Sequence, residues 1–158
     1  MASRLIRRVI STPNAPKAGG PYSQAIVADR TIYVAGQLGL DPKDSKMVGT
    51  DVQSQTRQAL SNLKNILEAG HSSLEKVVKV TVYLADIKDY DEMNKVYSEF
   101  FKEARPARVA LEVAQLPKVS LISKLQYNNT EDKESARVEI DAIGMVGDVE
   151  MDNAQANL

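Results

Sequence analysis

The sequence predicts a single α+β domain in which two helices pack on one face of a mixed β-sheet. Two segments repeat apolar residues at helical spacing, and several others alternate apolar and polar residues with a period of two. No third helical pattern is present to cover the other face of the sheet. The predicted order of elements is β-ββ-α-β-α-β-β, and the uncovered sheet face predicts a contact between subunits.

Three strands are predicted in the first part of the chain. Leu5–Ile10 is interpreted as a strand rather than as a targeting segment, although no acidic residue precedes Asp29. Ser11–Gln24 contains three prolines and two glycines and is predicted to be a loop. Ala25–Val27 and Thr31–Ala35 then predict a hairpin.

A long helix is predicted to begin at Thr50. Thr50 and Gln53 fit a capping box, and Asp51 suits the positive end of the helix dipole. Gly70 is the expected C′ residue, and Gln55 is expected to face solvent. The residues expected to face the core are Val52, Thr56, Ala59, Leu60, Leu63 and Leu67.

The second half of the chain predicts a strand, a helix and two further strands. The first strand is Val78–Leu84, and Asp89 is expected to cap the helix that follows. Pro106 ends that helix, a strand begins at Arg108, and the last strand is Ala136–Met145. The stripe of the second helix that is expected to face the core contains Tyr90, Met93, Tyr97, Phe100 and Phe101.

Composition excludes several classes of function. Twenty basic and twenty-one acidic residues give a net charge of −1, which provides no long-range attraction for nucleic acid or anionic membranes. The absence of cysteine excludes disulfides and thiolate chemistry, and the single histidine, His71, excludes most histidine metal sites. No apolar stretch approaches the roughly 20 residues that span a bilayer, so no membrane partner is expected.

One charged residue stands at the start of an apolar strand pattern. Arg108 directly precedes an alternating run, and a guanidinium at such a position costs desolvation unless an anion meets it. Either an internal carboxylate or a ligand must provide that anion.

Seven motifs carry a family resemblance, which runs from about residue 5 to residue 144 with one interruption. They are GPYSQAI (Gly20–Ile26), YVAGQLGLDP (Tyr33–Pro42), TRQALSNLKNILEAG (Thr56–Gly70), VVKVTVYLAD (Val77–Asp86), MNKVYSEFF (Met93–Phe101), PARVALEVAQLPK (Pro106–Lys118) and ARVEIDAIG (Ala136–Gly144). In this order and spacing the chain resembles the RidA/YjgF/UK114 proteins, which are reactive enamine/imine deaminases.

The resemblance implies a fold, an assembly and a reaction. The fold is the chorismate-mutase-like α+β domain, assembled as a homotrimer with its sites in clefts between subunits. The reaction is the hydrolysis of 2-imino acids and their enamine tautomers, such as 2-aminoacrylate, to 2-keto acids and ammonia, which protects against metabolite damage. No metal or organic cofactor is expected, and the expected location is cytoplasmic, with a mitochondrial or nuclear pool as a further option.

Two residues are implied to carry the chemistry. Arg108 matches the family's arginine that grips the substrate carboxylate, for which a planar guanidinium is well suited. Glu139 matches the glutamate that activates water. Asp141 follows on the same face of the strand and is expected to interact with Glu139 without acting as the base.

Five further residues are implied to line the substrate site. Tyr22 is expected to hydrogen-bond the carboxylate, while Tyr90 and Asn94, four residues apart on a helix, share the face that lines the cleft. Gly36 and Ala110 are expected to offer backbone groups to the imine nitrogen.

The chain departs from the family pattern at two places within a predicted domain of residues 1–146. Ala35 stands where the family usually has serine, and an insert, Val119–Glu134, interrupts the domain five residues before Glu139. Residues 147–158 are expected to form a flexible tail.

The sequence leaves two other functions open. Members of the family are also described as single-stranded RNA endoribonucleases or translation inhibitors. The near-neutral charge and the absence of a basic, aromatic stripe argue against tight RNA binding. The third option is a ligand-binding or chaperone-like protein whose catalysis the insert impairs.

Overall fold

The computed structural model describes residues 4–117 and 135–150. Its elements follow the predicted order. The strands are β1 (Arg7–Ile10), β2 (Ala25–Ala28), β3 (Thr31–Leu38), β4 (Val77–Leu84), β5 (Ala107–Glu112) and β6 (Val138–Met145). The helices are α1 (Val52–Ala69) and α2 (Tyr90–Phe100), and single 3₁₀ turns at Leu74–Lys76 and Ile87–Asp89 precede β4 and α2.

The strands form one mixed sheet in the order β1-β2-β3-β6-β4-β5. Only the β4–β5 pair is parallel among these strands, and the others are antiparallel. β3 continues three residues beyond its predicted end because it pairs with β6, with a bulge between Val34 and Gln37. The bulge leaves Ala35 and Gly36 without partners in the β3–β6 ladder.

Both helices cover the same face of the sheet, as predicted. Alternate residues of β3, β4 and β6 point toward the helices and join one apolar core with both of them. Each large aliphatic side chain buried there contributes about 1.5–3 kcal/mol. Fully buried members of this core include Ile32, Val80, Val82, Leu84, Ile140, Leu60, Leu63 and Met93.

The start of α1 differs from the prediction by one residue. Asp51, not Thr50, is the N-cap, and its carboxylate accepts a hydrogen bond from the backbone N–H of Ser54 at 2.8 Å. The same hydrogen bond lowers the pKa of Asp51. Gln53 does not close a capping box, because its side chain donates to Glu92 of α2 instead. An aspartate cap therefore takes the place of the predicted threonine cap.

The end of α1 also shifts by one residue. His71, not Gly70, adopts the left-handed conformation, with φ of 61°. The N–H groups of His71 and Ser72 donate to the carbonyls of Glu68 and Leu67, which makes a Schellman motif with His71 at C′. Gly70 is required for packing, since a Cβ there would lie 2.3 Å from the Cδ1 of Ile32.

The predicted side-chain cap of α2 is wrong. Asp89 precedes the helix but makes no side-chain cap hydrogen bond. Its carboxylate accepts two hydrogen bonds from the Arg137 guanidinium, at 2.8 and 2.9 Å. The Asp89 carboxylate is therefore engaged in a long-range ion pair and does not accept a capping hydrogen bond from α2.

Gln55 is fully buried, contrary to its predicted solvent exposure. Its amide nitrogen donates to the carbonyls of Gly49 and Ser135, and its amide oxygen accepts from the N–H of Arg137 at 2.7 Å. Gln55 thus provides hydrogen bonds to backbone groups of the segment that leads into β6.

Replacing Gln55 with alanine is expected to reduce the free energy of unfolding by about 2–4 kcal/mol, because it leaves buried polar groups without partners and opens a cavity. Urea denaturation at fixed protein concentration measures the change. Lys64→Ala, on an exposed part of the same helix, should change stability by less than about 0.5 kcal/mol. A loss below about 1 kcal/mol for Gln55→Ala would contradict the role assigned to these hydrogen bonds.

The face of the sheet away from the helices carries apolar side chains in solvent. Tyr33, Val109 and Leu111 are 48%, 44% and 38% exposed. They alternate with residues that point toward the helices. In the part of the chain that the structure describes, no element covers this face.

The predicted insert, Val119–Glu134, lies outside the described residues, as does most of the predicted tail. Among the helices that the structure describes, neither has the length and apolar character that crossing a membrane requires.

Candidate active site

Arg108 lies on edge strand β5 and points toward the helices. In the parallel β4–β5 ladder it stands opposite Val80, whose side chain is buried in the core beneath the helices. Two residues further along, Ala110 lies on the same side and packs against the core. Arg108 is therefore held at the margin between the core and solvent.

Three α2 residues at helical spacing surround the Arg108 guanidinium. Its Nη1 donates to the Oδ1 of Asn94 at 2.7 Å, and its Nη2 donates to the hydroxyl of Tyr90 at 3.3 Å. Its Cζ lies 4.5 Å from the ring centroid of Tyr97 and 5.8 Å from that of Tyr90. The predicted common face of Tyr90 and Asn94 is confirmed, and both residues meet the arginine.

Tyr97 forms an aromatic platform for this cation. Its side chain is buried, and among the described residues its hydroxyl has no hydrogen-bond partner. Burial raises the pKa of Tyr97 to about 12, while the Arg108 charge opposes that shift. Tyr97 was predicted only as a core residue. Tyr97 lies three residues after Asn94, and this helical spacing is the signal that could have predicted its contact with Arg108.

The Arg108 charge is not neutralised by an acid within the described residues. No carboxylate there lies within 4 Å of its guanidinium, and its hydrogen-bond partners are an amide oxygen and a phenol. Two of the five N–H donors of an arginine are used in these bonds. The sequence predicted that either an internal carboxylate or a ligand provides the anion for Arg108. Within the described residues, no internal carboxylate does so.

Glu139 lies on the opposite face of the sheet. In β6 it alternates with the buried Val138 and Ile140, and its side chain is half-buried against the bulge of β3. A Cβ on Gly36 would lie 2.0 Å from the Glu139 Oε1, so the absence of a side chain at position 36 makes room for the carboxylate. Burial, and secondly the charge of Asp141, raises the pKa of Glu139.

The Glu139 carboxylate borders an open cleft of about 250 Å³. Tyr83 and Asp141 also line this cleft, and the hydroxyl of Tyr83 donates to the Oδ2 of Asp141 at 2.9 Å. Sequence reasoning did not select Tyr83, and the signal that could have identified it is its place between the apolar residues of an alternating strand. The other lining residues are Gly36, Val113, Gln115 and Leu116.

Tyr22 lies in the exposed loop before β2, where its hydroxyl accepts a hydrogen bond from the N–H of Gly19 at 3.0 Å. Gln24 anchors this loop. Its buried side chain bonds both the N–H and the carbonyl of Thr12, and its own carbonyl accepts from the N–H of Ala35. The loop is thereby attached to the bulge beside Gly36, and sequence reasoning missed Gln24 as the residue that fixes it.

Apart from Tyr22 in its loop, the predicted site residues therefore fall into two groups within one chain. Arg108, Asn94, Tyr90 and Ala110 lie on the helix side at the sheet edge, whereas Glu139 and Gly36 lie on the open side. The β-sheet itself separates the Arg108 and Glu139 side chains. No cluster of three or more metal-ligating side chains occurs in residues 4–117 and 135–150.

This arrangement defines a class of small α+β proteins in which a six-stranded sheet supports an unneutralised arginine at its edge and a half-buried glutamate on its open face. The family model described as Endoribonuclease L-PSP matches residues 12–122. Together with the relatives below, this match shows that the chain belongs to the RidA/YjgF/UK114 family.

Two named relatives are similar to this chain in sequence, and a solved structure is similar to it in fold. A RutC family protein from Pyrococcus horikoshii is 55% identical over 117 residues, which cover 74% of this chain and 93% of that protein. The human 2-iminobutanoate/2-iminopropanoate deaminase is 52% identical over 120 residues, covering 76% and 88%. The crystal structure of RidA from an Antarctic Psychrobacter species superposes with a TM-score of 0.74 at 36% identity, covering 88% and 99% of the two chains.

Proposed function

We propose that this protein hydrolyses reactive 2-imino acids and their enamine tautomers to 2-keto acids and ammonia. The single observation that carries the proposal is the Arg108 guanidinium, which contacts an amide oxygen and aromatic rings but no carboxylate among the described residues. The name of the human relative supports the same reaction. Removal of such reactive compounds would protect other enzymes from damage.

The contacts of Arg108 suit the capture of a carboxylate. Asn94 and Tyr90 orient the guanidinium and carry no negative charge, so its attraction for an anion is preserved. The donors that remain can pair with a planar carboxylate through two parallel hydrogen bonds. The rings of Tyr97 and Tyr90 stabilise the cation before substrate arrives.

Glu139 is suited to activate water at the imine carbon. Its carboxylate takes a proton from water as the water oxygen bonds to that carbon and the π pair of the C=N bond moves to nitrogen, and it passes the proton to that nitrogen, which gives a carbinolamine. Glu139 then moves the hydroxyl proton of the carbinolamine to the nitrogen, the C–N bond breaks with its electron pair going to nitrogen, and ammonia leaves as the carbonyl forms. Gly36, Ala110 and Tyr22 are proposed to complete the site, with backbone groups toward the nitrogen and the tyrosine hydroxyl toward the carboxylate.

We infer that the complete site forms between subunits of a homotrimer of the chorismate-mutase-like type. Arg108 and Glu139 lie on opposite faces of the sheet, so one small substrate cannot touch both within a single chain. The exposed apolar side chains of the open face, including Tyr33, Val109 and Leu111, are suited to a subunit contact. A neighbouring chain seated there would bring its Arg108 toward Glu139.

Replacing Arg108 with alanine is expected to reduce imine hydrolysis by about 100-fold, because charge-assisted hydrogen bonds to the substrate carboxylate are lost. The assay couples an amino-acid dehydratase, which releases the 2-imino acid, to the purified protein and follows decay of the imine. Arg105→Ala is the matched control, since Arg105 is an exposed arginine in the loop before β5. It should keep the wild-type rate.

Equal rates for Arg108→Ala and the wild type would overturn the proposed function. If the same preparation then cleaved single-stranded RNA, the endoribonuclease activity that the family description names would replace deamination.

A further inference from the structure

The Tyr83–Asp141 hydrogen bond lies directly beside Glu139. Tyr83 stands opposite Glu139 in the β4–β6 ladder, and Asp141 follows Glu139 by two residues on the same face of β6. The Tyr83 hydroxyl donates to the Asp141 Oδ2 at 2.9 Å. All three side chains line the same open cleft.

We propose that Tyr83 and Asp141 act together as positioning residues for Glu139. The hydroxyl of Tyr83 holds the Asp141 carboxylate next to Glu139, and the fixed negative charge keeps Glu139 ready to accept a proton from water and to return it to the leaving nitrogen. This inference rests on the proposed function, because it concerns the base of that reaction.

The electrostatics of the cleft agree with this geometry. A like charge beside a carboxylate disfavours its ionised form, and the Asp141 charge is the second cause, after burial, that raises the pKa of Glu139. Burial and the hydrogen bond to Asp141 raise the pKa of Tyr83 in turn. The phenol therefore stays protonated and remains a donor throughout the neutral range.

Few other charged groups face this pair within the described residues. On the same sheet face, β4 contributes Lys79 and Thr81, and β3 contributes Tyr33. No described lysine or arginine lies within 4 Å of the Glu139 or Asp141 carboxylate. In the proposed trimer a neighbour's Arg108 would also approach Glu139, but it is unchanged in every variant compared below.

The test is the pH dependence of kcat/KM for imine hydrolysis in the intact protein. Asp141→Asn removes the like charge, so Glu139 should ionise more easily and the acid limb of the profile should move to lower pH. Tyr83→Phe should move it in the same direction, because the freed Asp141 side chain can turn toward solvent. The double variant should match Asp141→Asn alone, since the hydroxyl acts through the carboxylate.

Two controls separate a change in the ionisation of Glu139 from structural damage. Asp141→Glu retains the charge and should leave the acid limb near its wild-type position. Lys64→Ala removes a charge from an exposed position of α1, on the other face of the sheet, and should leave the whole profile unchanged.

The outcomes distinguish this proposal from the function on which it rests. If Glu139→Gln is inactive but Asp141→Asn lowers the rate equally at every pH with its acid limb in place, the positioning role is overturned and the deaminase function stands. If Glu139→Gln retains the wild-type rate, the positioning role falls together with the assignment of the base.

Discussion

Mixed oligomers of Arg108→Ala and Glu139→Gln chains are expected to recover about a third of the wild-type deaminase rate, although each variant alone is nearly inactive. The reason is the placement of the two residues on opposite faces of one sheet. A site with both side chains must take Arg108 from one chain and Glu139 from another. In the proposed homotrimer, every mixed particle then contains one site in which both residues are intact, whether the subunit ratio is 2:1 or 1:2.

The experiment co-expresses the two variants with different affinity tags and purifies particles that carry both tags. Activity per trimer is compared with that of wild type and of each parent. The matched control combines Arg108→Ala with the Arg108→Ala/Glu139→Gln double variant, so that no subunit provides the guanidinium, and it should stay inactive. Absence of recovery in purified mixed trimers would contradict a shared site.

Replacing Gly36 with alanine is expected to lower the deaminase rate by about 100-fold or more while the protein stays folded. The added Cβ would lie 2.0 Å from the Oε1 and 2.7 Å from the Cδ of Glu139. A flexible side-chain end can move away from such a clash, so the damage falls on the position of the carboxylate rather than on the fold. Steady-state kinetics and thermal melting, measured together, separate the two effects.

The double variant Gly36→Ala/Glu139→Gln provides the control for this prediction. If alanine at position 36 acts by displacing the carboxylate, the double variant should be no slower than Glu139→Gln alone. A further loss in the double variant would mean that Gly36 contributes something besides space, such as the proposed backbone contact with the imine nitrogen.

The stabilisation of Arg108 differs from an ordinary buried ion pair. An internal carboxylate would satisfy the charge and also remove most of its attraction for a substrate. Asn94 and the rings of Tyr90 and Tyr97 offset part of the desolvation cost and leave the net charge in place. A cation held in this way is prepared for an anionic ligand before binding.

Local pattern was enough to predict the elements of the fold. The period of two is confirmed in β6 and in β4 from Val80 onward, and so is the apolar stripe of α1, because each reflects which side of an element meets the core. The stripe of α2 is confirmed for Met93 and Tyr97 but is wrong for Tyr90, which is exposed at the margin of the core beside Arg108. Family motifs likewise selected Arg108, Asn94 and Tyr90, which the structure brings into contact. Their roles in the reaction remain predictions.

Two errors in prediction occur where a distant partner competes with a local one. Asp89 binds Arg137 instead of capping α2, and Gln55 is buried because the backbone around Ser135 and Arg137 needs its amide. No spacing rule along one helix contains these partners, since they lie more than 45 residues away. For the same reason the sequence did not predict the Tyr83–Asp141 hydrogen bond, because that contact depends on the register between β4 and β6.

By itself the sequence determined the α+β class, the order of strands and helices, and the family, because periodicity and motif order are properties of neighbouring residues. Only the tertiary structure decided that Arg108 and Glu139 lie on opposite faces of the sheet, that tyrosines and an asparagine meet the arginine, and that Gly36 makes room for the glutamate. The physical reason is that strand pairing and the bulge in β3 set which side chains share a face, and both depend on contacts between residues far apart in the chain.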